Sequence, residues 1–119
     1  MQAQTPTALV VEDDAALRML VRVNLELDGF VVKDAGTLDE AEAALARWRP
    51  DVVLLDVHLD GRDTLGLLAR LRAQGVPVAL VTGSVDLADY ASQADAALPK
   101  PFQPSMLVDV ARRLARVGV

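Results

Sequence analysis

Three carboxylates in this chain stand next to apolar runs, where their side chains are expected to serve a chemical purpose. Glu12 and Asp13 follow the run "ALVV" at 8–11, and Asp56 closes the run "DVVLLD" at 51–56. Adjacent like charges repel, so a cation is expected to compensate for them. Carboxylates without a cysteine or histidine cluster form a hard-oxygen site, which suits Mg2+ better than zinc or copper. We therefore predict a magnesium site that involves these three acids.

The polar residues at two later strand ends fit the transfer of a phosphoryl group. Lys100 can pair with a phosphate oxygen as a point charge, and the Thr82 hydroxyl can donate a hydrogen bond to another oxygen. Gly83 leaves its backbone N–H unobstructed as a further donor. A carboxylate can be the nucleophile in such chemistry, and positioning and electrostatics are most of what it requires of a protein. The set therefore fits the transfer of a phosphoryl group to a carboxylate of this site.

The elements that must position these residues alternate strictly along the chain. Short apolar segments predict strands, and the amphipathic stretches between them predict helices. The predicted strands are 8–11, 30–35, 51–57, 76–82 and 96–99, and the predicted helices are 14–28, 38–48, 63–74, 85–93 and 104–117. Continuous apolar runs suggest strands covered on both faces, so we expect an α/β fold of five βα units around a parallel sheet. Ligands of such sheets bind outside the carboxyl ends of the strands, where the acids, the hydroxyl and the lysine fall.

The composition bounds the class of protein. The 119 residues are 52% hydrophobic, which fits one globular domain; we assign residues 7–119 to it and residues 1–6 to a flexible tail. The net charge of -5 argues against direct binding of nucleic acid, and the arginines at 112, 113 and 116 are expected on a solvated helix face. No signal peptide or membrane-spanning run is visible, so we expect a cytoplasmic protein without membrane partners.

Four segments together resemble the receiver domain of bacterial two-component response regulators. They are "VVEDD", "VVLLDVHL", "LVTGS" and "LPKPF", and they occur in the order of that family across nearly the whole chain. The resemblance implies a flavodoxin-like (βα)5 doubly wound sandwich whose parallel strands are ordered 2-1-3-4-5. In that order the strand at 96–99 lies at the edge of the sheet, where Pro99 is tolerated. The resemblance also implies a cis bond between Lys100 and Pro101.

The resemblance assigns roles around the predicted magnesium site. Asp56 would be the phosphoacceptor. Glu12 and Asp13 would hold Mg2+ together with Asp56, and the backbone carbonyl of His58 would complete the protein ligands.

The resemblance also implies how the chain functions. Thr82 and Lys100 would be the switch and phosphate-contacting residues. The phosphoryl group would come from a histidine kinase or a phosphotransfer protein, and water would hydrolyse the acyl phosphate. The protein would then be a phosphorylation-dependent switch with a downstream protein partner, and not an enzyme beyond its own phosphorylation and dephosphorylation.

The chain departs from the family pattern at several positions. The aromatic residue that usually lies three positions before the lysine is Ala97 here, which argues against the usual aromatic switch. In the loop after the phosphoacceptor, Asp60 replaces the usual Pro and Thr64 the usual Gly, and Gly61 is expected to supply the turn. The helix predicted at 85–93 is shorter than usual by about one turn.

These departures keep two other functions open. A pseudo-receiver that binds a protein partner without phosphorylation is favoured by Ala97 and by the short helix. A small phosphatase that uses Asp56 in turnover is the third alternative, although a dehalogenase-type phosphatase would need a second Asp where His58 stands. The sequence leaves open whether the chain is a stand-alone receiver or part of a longer protein.

Four further residues receive structural interpretations. Asp14 is expected to cap the helix that follows it. His58 is expected to be exposed beside the site, and Trp48 to pack at a helix end. Tyr90 is expected to be a surface residue rather than a surrogate for the missing aromatic switch.

Overall fold

The computed structural model describes residues 5–83, 90 and 92–116. Its elements, in chain order, are β1 (Thr7–Val11), α1 (Ala15–Leu27), β2 (Val31–Ala35), α2 (Leu38–Arg47), β3 (Val52–Asp56), β4 (His58–Leu59), β5 (Arg62–Asp63), α3 (Leu65–Ala73), β6 (Val78–Thr82), β7 (Ala96–Pro99) and α4 (Pro104–Leu114). The predicted strands and helices agree with these bounds to within three residues at each end. The helix predicted over 85–93 lies almost wholly outside the described residues.

Five of the strands form one parallel sheet in the order β2-β1-β3-β6-β7. Counted without the two short strands β4 and β5, this order is 2-1-3-4-5, as the resemblance implied. The central strand β3 is buried along its whole length, because sheet neighbours and helices cover it on every side. The doubly wound, flavodoxin-like α/β fold is therefore confirmed.

The hydrophobic core consists of two layers, one on each face of the sheet. Successive residues of β1 alternate between them: Ala8 and Val10 belong to one layer, and Leu9 and Val11 belong to the other. The first layer lies beneath α1 and α4, and the second beneath α2 and α3. Aliphatic side chains fill both layers almost entirely, as the aromatic content of 3% requires.

The helices begin and end at residues with recognisable local chemistry. Asp14 is the N-cap of α1 and accepts a hydrogen bond from the Leu17 N–H at 3.0 Å, which confirms the predicted cap. Gly29 and Gly75 follow α1 and α3 with φ of 99° and 78°, a backbone conformation that favours glycine. Among the described residues, no helix is long and apolar enough to cross a membrane.

A small antiparallel hairpin, β4–β5, follows the central strand and was not predicted. His58 pairs with Asp63 and Leu59 with Arg62, so only Asp60 and Gly61 form the turn. Both turn residues have positive φ, 51° for Asp60 and 75° for Gly61, as a two-residue type I′ turn requires. The predicted turn at Gly61 is confirmed, and we call residues 58–63 the site hairpin.

Strand β7 lies at the edge of the sheet and contains Pro99. The Lys100 N–H donates to the Thr82 carbonyl at 2.8 Å, so the preceding backbone nitrogen, that of Pro99, falls on the open side of the strand. No ladder hydrogen bond is lost to the proline there. The bond between Lys100 and Pro101 is cis, as the resemblance implied.

Candidate functional site

The carboxyl ends of the two central strands bring the predicted acids together. Glu12 directly follows β1 and Asp56 ends β3, and these strands pair with Val11 opposite Leu55. Carboxylate oxygens of Glu12, Asp13 and Asp56 all lie within 4.8 Å of one another. Glu12 and Asp56 are buried, whereas Asp13 is exposed. The three acids thus form one cluster at the rim of the sheet.

Lys100 reaches this cluster from the far end of β7. Its Nζ lies 2.7 Å from Glu12 Oε1 and 3.0 Å from Asp56 Oδ2. Burial alone would lower the pKa of Lys100, but its hydrogen bonds to the two carboxylates together outweigh burial and raise that pKa. The lysine is therefore charged and bridges the two buried acids.

The carboxylate of Glu12 is held from several sides. Its Oε2 accepts a hydrogen bond from the Asp14 N–H at 3.0 Å, while Oε1 faces Lys100. The Arg18 guanidinium donates to the backbone carbonyl of Glu12 at 2.8 Å. Burial raises the pKa of Glu12, and the nearby charge of Asp56 adds to the increase, although the bonds from Lys100 and Asp14 oppose it.

Asp13 is held by the tip of the site hairpin. The Asp60 backbone N–H donates to Asp13 Oδ2 at 2.9 Å across 47 positions of sequence. This hydrogen bond is the main reason that the pKa of Asp13 lies below its ordinary value. Asp13 is therefore ionised and oriented despite its exposure.

Two neighbours hold Asp56, one at its side chain and one at its backbone carbonyl. The His58 N–H donates to Asp56 Oδ1 at 3.3 Å, and the Thr64 hydroxyl lies 2.7 Å from the Asp56 carbonyl. Thr64 is only 1% exposed, and its hydroxyl is also 3.1 Å from the Val57 carbonyl. Sequence reasoning noted Thr64 and Asp60 only as departures from a pattern. The Asp-Gly dipeptide at 60–61, a strong hairpin signal, indicated the turn that brings Asp60 to Asp13.

Thr82 and Gly83 lie at the end of β6, the strand between β3 and β7. Thr82 is buried and Gly83 is exposed. A Cβ placed on Gly83 would lie 3.7 Å from the Lys100 Cβ, an ordinary contact, so space alone does not require glycine. Both residues stand at the predicted edge, and their roles toward a phosphate stay predictions.

The remaining predicted residues divide between confirmed and corrected placements. The side chain of His58 is exposed, as expected, while the metal-binding role of its carbonyl stays a prediction. Trp48 follows the last residue of α2 and packs against the core, also as expected, with Lys33 Nζ 4.9 Å from its ring centroid. Tyr90 is half-buried and packs against the core layer beneath α2 and α3, as does Ala97, so the expectation of a surface tyrosine is corrected.

The acidic cluster fits a hard divalent cation. Its donor atoms are carboxylate oxygens alone, the ligand type that Mg2+ prefers. When Glu12, Asp13 and Asp56 are ionised, Lys100 cancels one of their three charges, and the two that remain match the charge of one divalent ion. Glu12, Asp13 and Asp56 are the residues that would hold the ion.

This combination of a doubly wound sheet with an acidic cluster and a bridging lysine defines the class of protein. A match to the response regulator receiver domain covers residues 8–112, and the chain belongs to this family. It is 37% identical over 113 residues to the DNA-binding response regulator MtrA of Mycobacterium tuberculosis, with 91% of this chain and 50% of that protein covered. It is 38% identical over 124 residues to the transcriptional regulatory protein AruR of Pseudomonas aeruginosa, with coverage of 96% and 51%. The chain spans about half the length of these relatives.

Solved structures of receiver domains share the fold. The receiver domain of NtrX from Brucella abortus aligns with a TM-score of 0.83 and 31% identity, covering 93% of this chain and 99% of that one. A CheY-like receiver domain protein from Methanospirillum hungatei aligns with a TM-score of 0.85 and 25% identity, covering 95% of each chain. Two-component signalling, phosphorylation and binding of Mg2+ are general properties of this family.

These relatives correct one expectation about partners. The net charge of -5 led us to expect no direct binding of nucleic acid, but MtrA is named a DNA-binding response regulator. This chain spans only about half the length of these relatives. Its net charge therefore carries no information about the part of each relative that it does not match. The exclusion of nucleic acid was therefore wrong.

Proposed function

We propose that this chain is a phosphorylation-dependent switch that accepts a phosphoryl group on Asp56 from a histidine kinase or a phosphotransfer protein. The observation that carries the proposal is the double contact of Lys100, at 2.7 Å from Glu12 and 3.0 Å from Asp56. A buried carboxylate beside a fixed ammonium and two further acids is the set of groups that phosphoryl transfer to a carboxylate needs.

The proposed reaction is a displacement at phosphorus. An oxygen of Asp56 forms the new O–P bond while the N–P bond of a phosphohistidine breaks, and the imidazole nitrogen keeps the electron pair of that bond. Lys100, already within 3.0 Å of the carboxylate, pairs with a phosphoryl oxygen, and Thr82 and the Gly83 N–H donate to the others. Dephosphorylation is a second displacement: a water oxygen forms a bond to phosphorus, the O–P bond to Asp56 breaks, and inorganic phosphate and the free carboxylate result.

Mg2+ is the cofactor that we propose for this step. When bound by Glu12, Asp13, Asp56 and the His58 carbonyl, it would neutralise charge on the phosphoryl oxygens. The support is the carboxylate-only cluster within 4.8 Å and its excess negative charge.

Intact mass spectrometry tests the proposal. Incubation with acetyl phosphate and Mg2+ is expected to add about 80 Da, the mass of one phosphoryl group, to the wild-type chain and nothing to Asp56→Asn. Asp109→Asn, which alters an exposed aspartate of α4, is the matched control and should gain the same mass as the wild type. The absence of a gain in the wild type, or an equal gain in Asp56→Asn, would refute phosphorylation of Asp56.

Ala97 favours a second candidate, a module that binds its partner independently of phosphorylation. This half-buried residue occupies the position of the usual aromatic switch and has no ring to rotate. The candidate predicts equal affinity for the cognate partner before and after treatment with acetyl phosphate. The intact cluster of acids and lysine favours the switch instead.

The domain division and the output complete the proposal. We assign residues 7–119 to the receiver and residues 1–6 to a tail, of which residues 1–4 and 117–119 lie outside the described part of the chain. Within the described part, the Pro6 carbonyl accepts a hydrogen bond from the Val31 N–H at 2.9 Å. The output is a change in affinity for a downstream partner. The names of the relatives suggest control of DNA binding as one form of that output.

A further inference from the structure

The site hairpin is joined to the acidic cluster at both of its ends. At its base, the buried Thr64 hydroxyl lies 2.7 Å from the carbonyl of Asp56, and the Thr64 N–H donates to the Val57 carbonyl at 3.0 Å. At its tip, the Asp60 N–H donates to Asp13 at 2.9 Å. The hairpin therefore links the backbone of one acid to the side chain of another.

The hairpin itself is held in place by the core and by the next helix. Leu59 is 1% exposed and belongs to the core layer beneath α2 and α3. Asp63 accepts a hydrogen bond from the Leu65 N–H at 3.1 Å, which ties the second strand of the hairpin to the start of α3. A segment anchored in this way presents the Asp60 N–H at a fixed position.

Asp13 is the member of the cluster that most needs such support. It is exposed, whereas Glu12 and Asp56 are buried and both contact Lys100. An exposed aspartate samples several rotamers, and fixing one of them on binding an ion costs conformational entropy. The hydrogen bond from Asp60 selects one rotamer before any ion arrives.

We propose that the site hairpin is a brace that orients Asp13 for a divalent cation, and that Thr64 is the positioning residue at its base. The inference deepens the proposed function, on which it rests, because it explains how the exposed ligand of the cluster is fixed. Groups that orient metal ligands contribute to affinity without touching the metal, and their loss commonly weakens binding by about 10- to 100-fold.

A pair of substitutions at Thr64 tests the base of the brace. Thr64→Val keeps the shape of the side chain and removes the hydroxyl, whereas Thr64→Ser keeps the hydroxyl. We expect Thr64→Val to bind Mn2+ about tenfold more weakly in a titration followed by electron paramagnetic resonance, and Thr64→Ser to bind it like the wild type. The free energy of unfolding without metal is measured in parallel. If Thr64 had a purely structural role, the substitutions would change this free energy, but folded Thr64→Val and folded Thr64→Ser would bind Mn2+ with equal affinity.

A second pair tests the tip independently of the core. Gly61 has φ of 75° and a Cβ placed on it meets nothing within 4 Å, so a substitution there acts through the backbone alone. Gly61→Val disfavours the turn, whereas Gly61→Asn tolerates it. We expect weaker Mn2+ binding for Gly61→Val than for Gly61→Asn, and this comparison decides the matter if Thr64→Val does not fold.

The outcomes separate the two proposals. Wild-type chain that binds no Mn2+ would contradict the metal site of the proposed function. Wild-type binding with equal affinities within both pairs would overturn the brace and leave the proposed function intact.

Discussion

Lys100 and Asp56 form an ion pair, with 3.0 Å between Nζ and Oδ2, although the strands that precede them are not neighbours. Strand β6 lies between β3 and β7, so the lysine side chain extends across the end of β6 to reach the aspartate. The same ammonium continues to Glu12 beyond β1. One side chain from the sheet edge thereby connects the ends of two other strands, β1 and β3.

Removal of Lys100 is expected to destabilise the protein when no metal is present. Lys100→Met leaves Glu12 and Asp56 buried without a counter-charge, which should cost about 1–3 kcal/mol, below the figure for a fully buried pair because Lys100 is 25% exposed. Mg2+ should reduce this loss because it supplies positive charge to the same acids. Urea denaturation with and without Mg2+ measures both effects.

Lys33→Met is the control for that experiment. Lys33 lies over the Trp48 ring at 4.9 Å, a contact worth about 1 kcal/mol or less at an exposed site. Its effect should not depend on Mg2+. A Lys100→Met chain as stable as the wild type, at every Mg2+ concentration, would show that the ion pair contributes nothing.

The contribution of Glu12 to the stability of the metal-free protein is expected to decline as the pH rises above the ordinary pKa of glutamate, about 4.5. Burial raises the pKa of Glu12, so the folded chain holds this proton more tightly than the unfolded chain and loses stability when the proton leaves. Asp13 acts oppositely: its lowered pKa stabilises the fold above its ordinary pKa, and this contribution is lost as the pH falls through the lowered value.

Urea titrations of the wild type and Glu12→Gln, in buffer with a chelator, test this pH dependence. As the pH rises from about 4.5, the stability of the wild type should fall relative to that of the variant, since the variant has no carboxyl group to titrate at position 12. Comparing slopes removes any constant cost of the amide. Equal slopes in the two proteins would contradict the assignment to Glu12.

Asp14 is expected to differ in role from the two acids before it. Asp14→Ala removes the cap of α1, where the side chain accepts from Leu17 at 3.0 Å, and should cost about 1 kcal/mol of stability. Phosphorylation by acetyl phosphate should be nearly unchanged, because the variant keeps the hydrogen bond from the backbone N–H at position 14 to the Glu12 carboxylate. Asp13→Ala should show the converse result: nearly unchanged stability and weaker phosphorylation by acetyl phosphate. Identical behaviour of the two variants in both assays would argue against separate roles.

The ion pair between Arg112 and Asp28 is expected to contribute little. It joins α4 to the end of α1 at 2.7 Å, but the two side chains are 41% and 31% exposed, so solvent screens the pair. A double-mutant cycle with Arg112→Met and Asp28→Asn should give a coupling energy of about 1 kcal/mol or less. A much larger coupling would mean that the pair, rather than apolar packing, holds these helices together.

The sequence predicted the large elements well because their local patterns are strong. The run "VVLL" within β3 is apolar throughout, and the structure buries every residue of that strand. Acids that directly follow such runs fall at strand ends by necessity, so the location of the acidic cluster followed from chain order. The strand order came from the family resemblance, since periodicity alone does not specify which strands pair.

The site hairpin and the contacts within the cluster were harder to predict. Strands of two residues, His58–Leu59 and Arg62–Asp63, are too short to show alternation, and only the Asp-Gly turn between them carried a signal. The hydrogen bond from Asp60 to Asp13 spans 47 positions, and that from Lys100 to Glu12 spans 88. Contacts between residues so far apart in the chain form only once the sheet is assembled, so no local sequence pattern predicts them.

Pro99 has a consequence for how separate copies of this chain meet. A strand with unpaired N–H groups along its open side invites another molecule to extend the sheet, which is a common start of aggregation. The nitrogen that Pro99 places on the open side of β7 carries no hydrogen, so one rung of such an intermolecular ladder cannot form. The residue that looked unsuited to a strand thus discourages edge-to-edge association of the protein at high concentration.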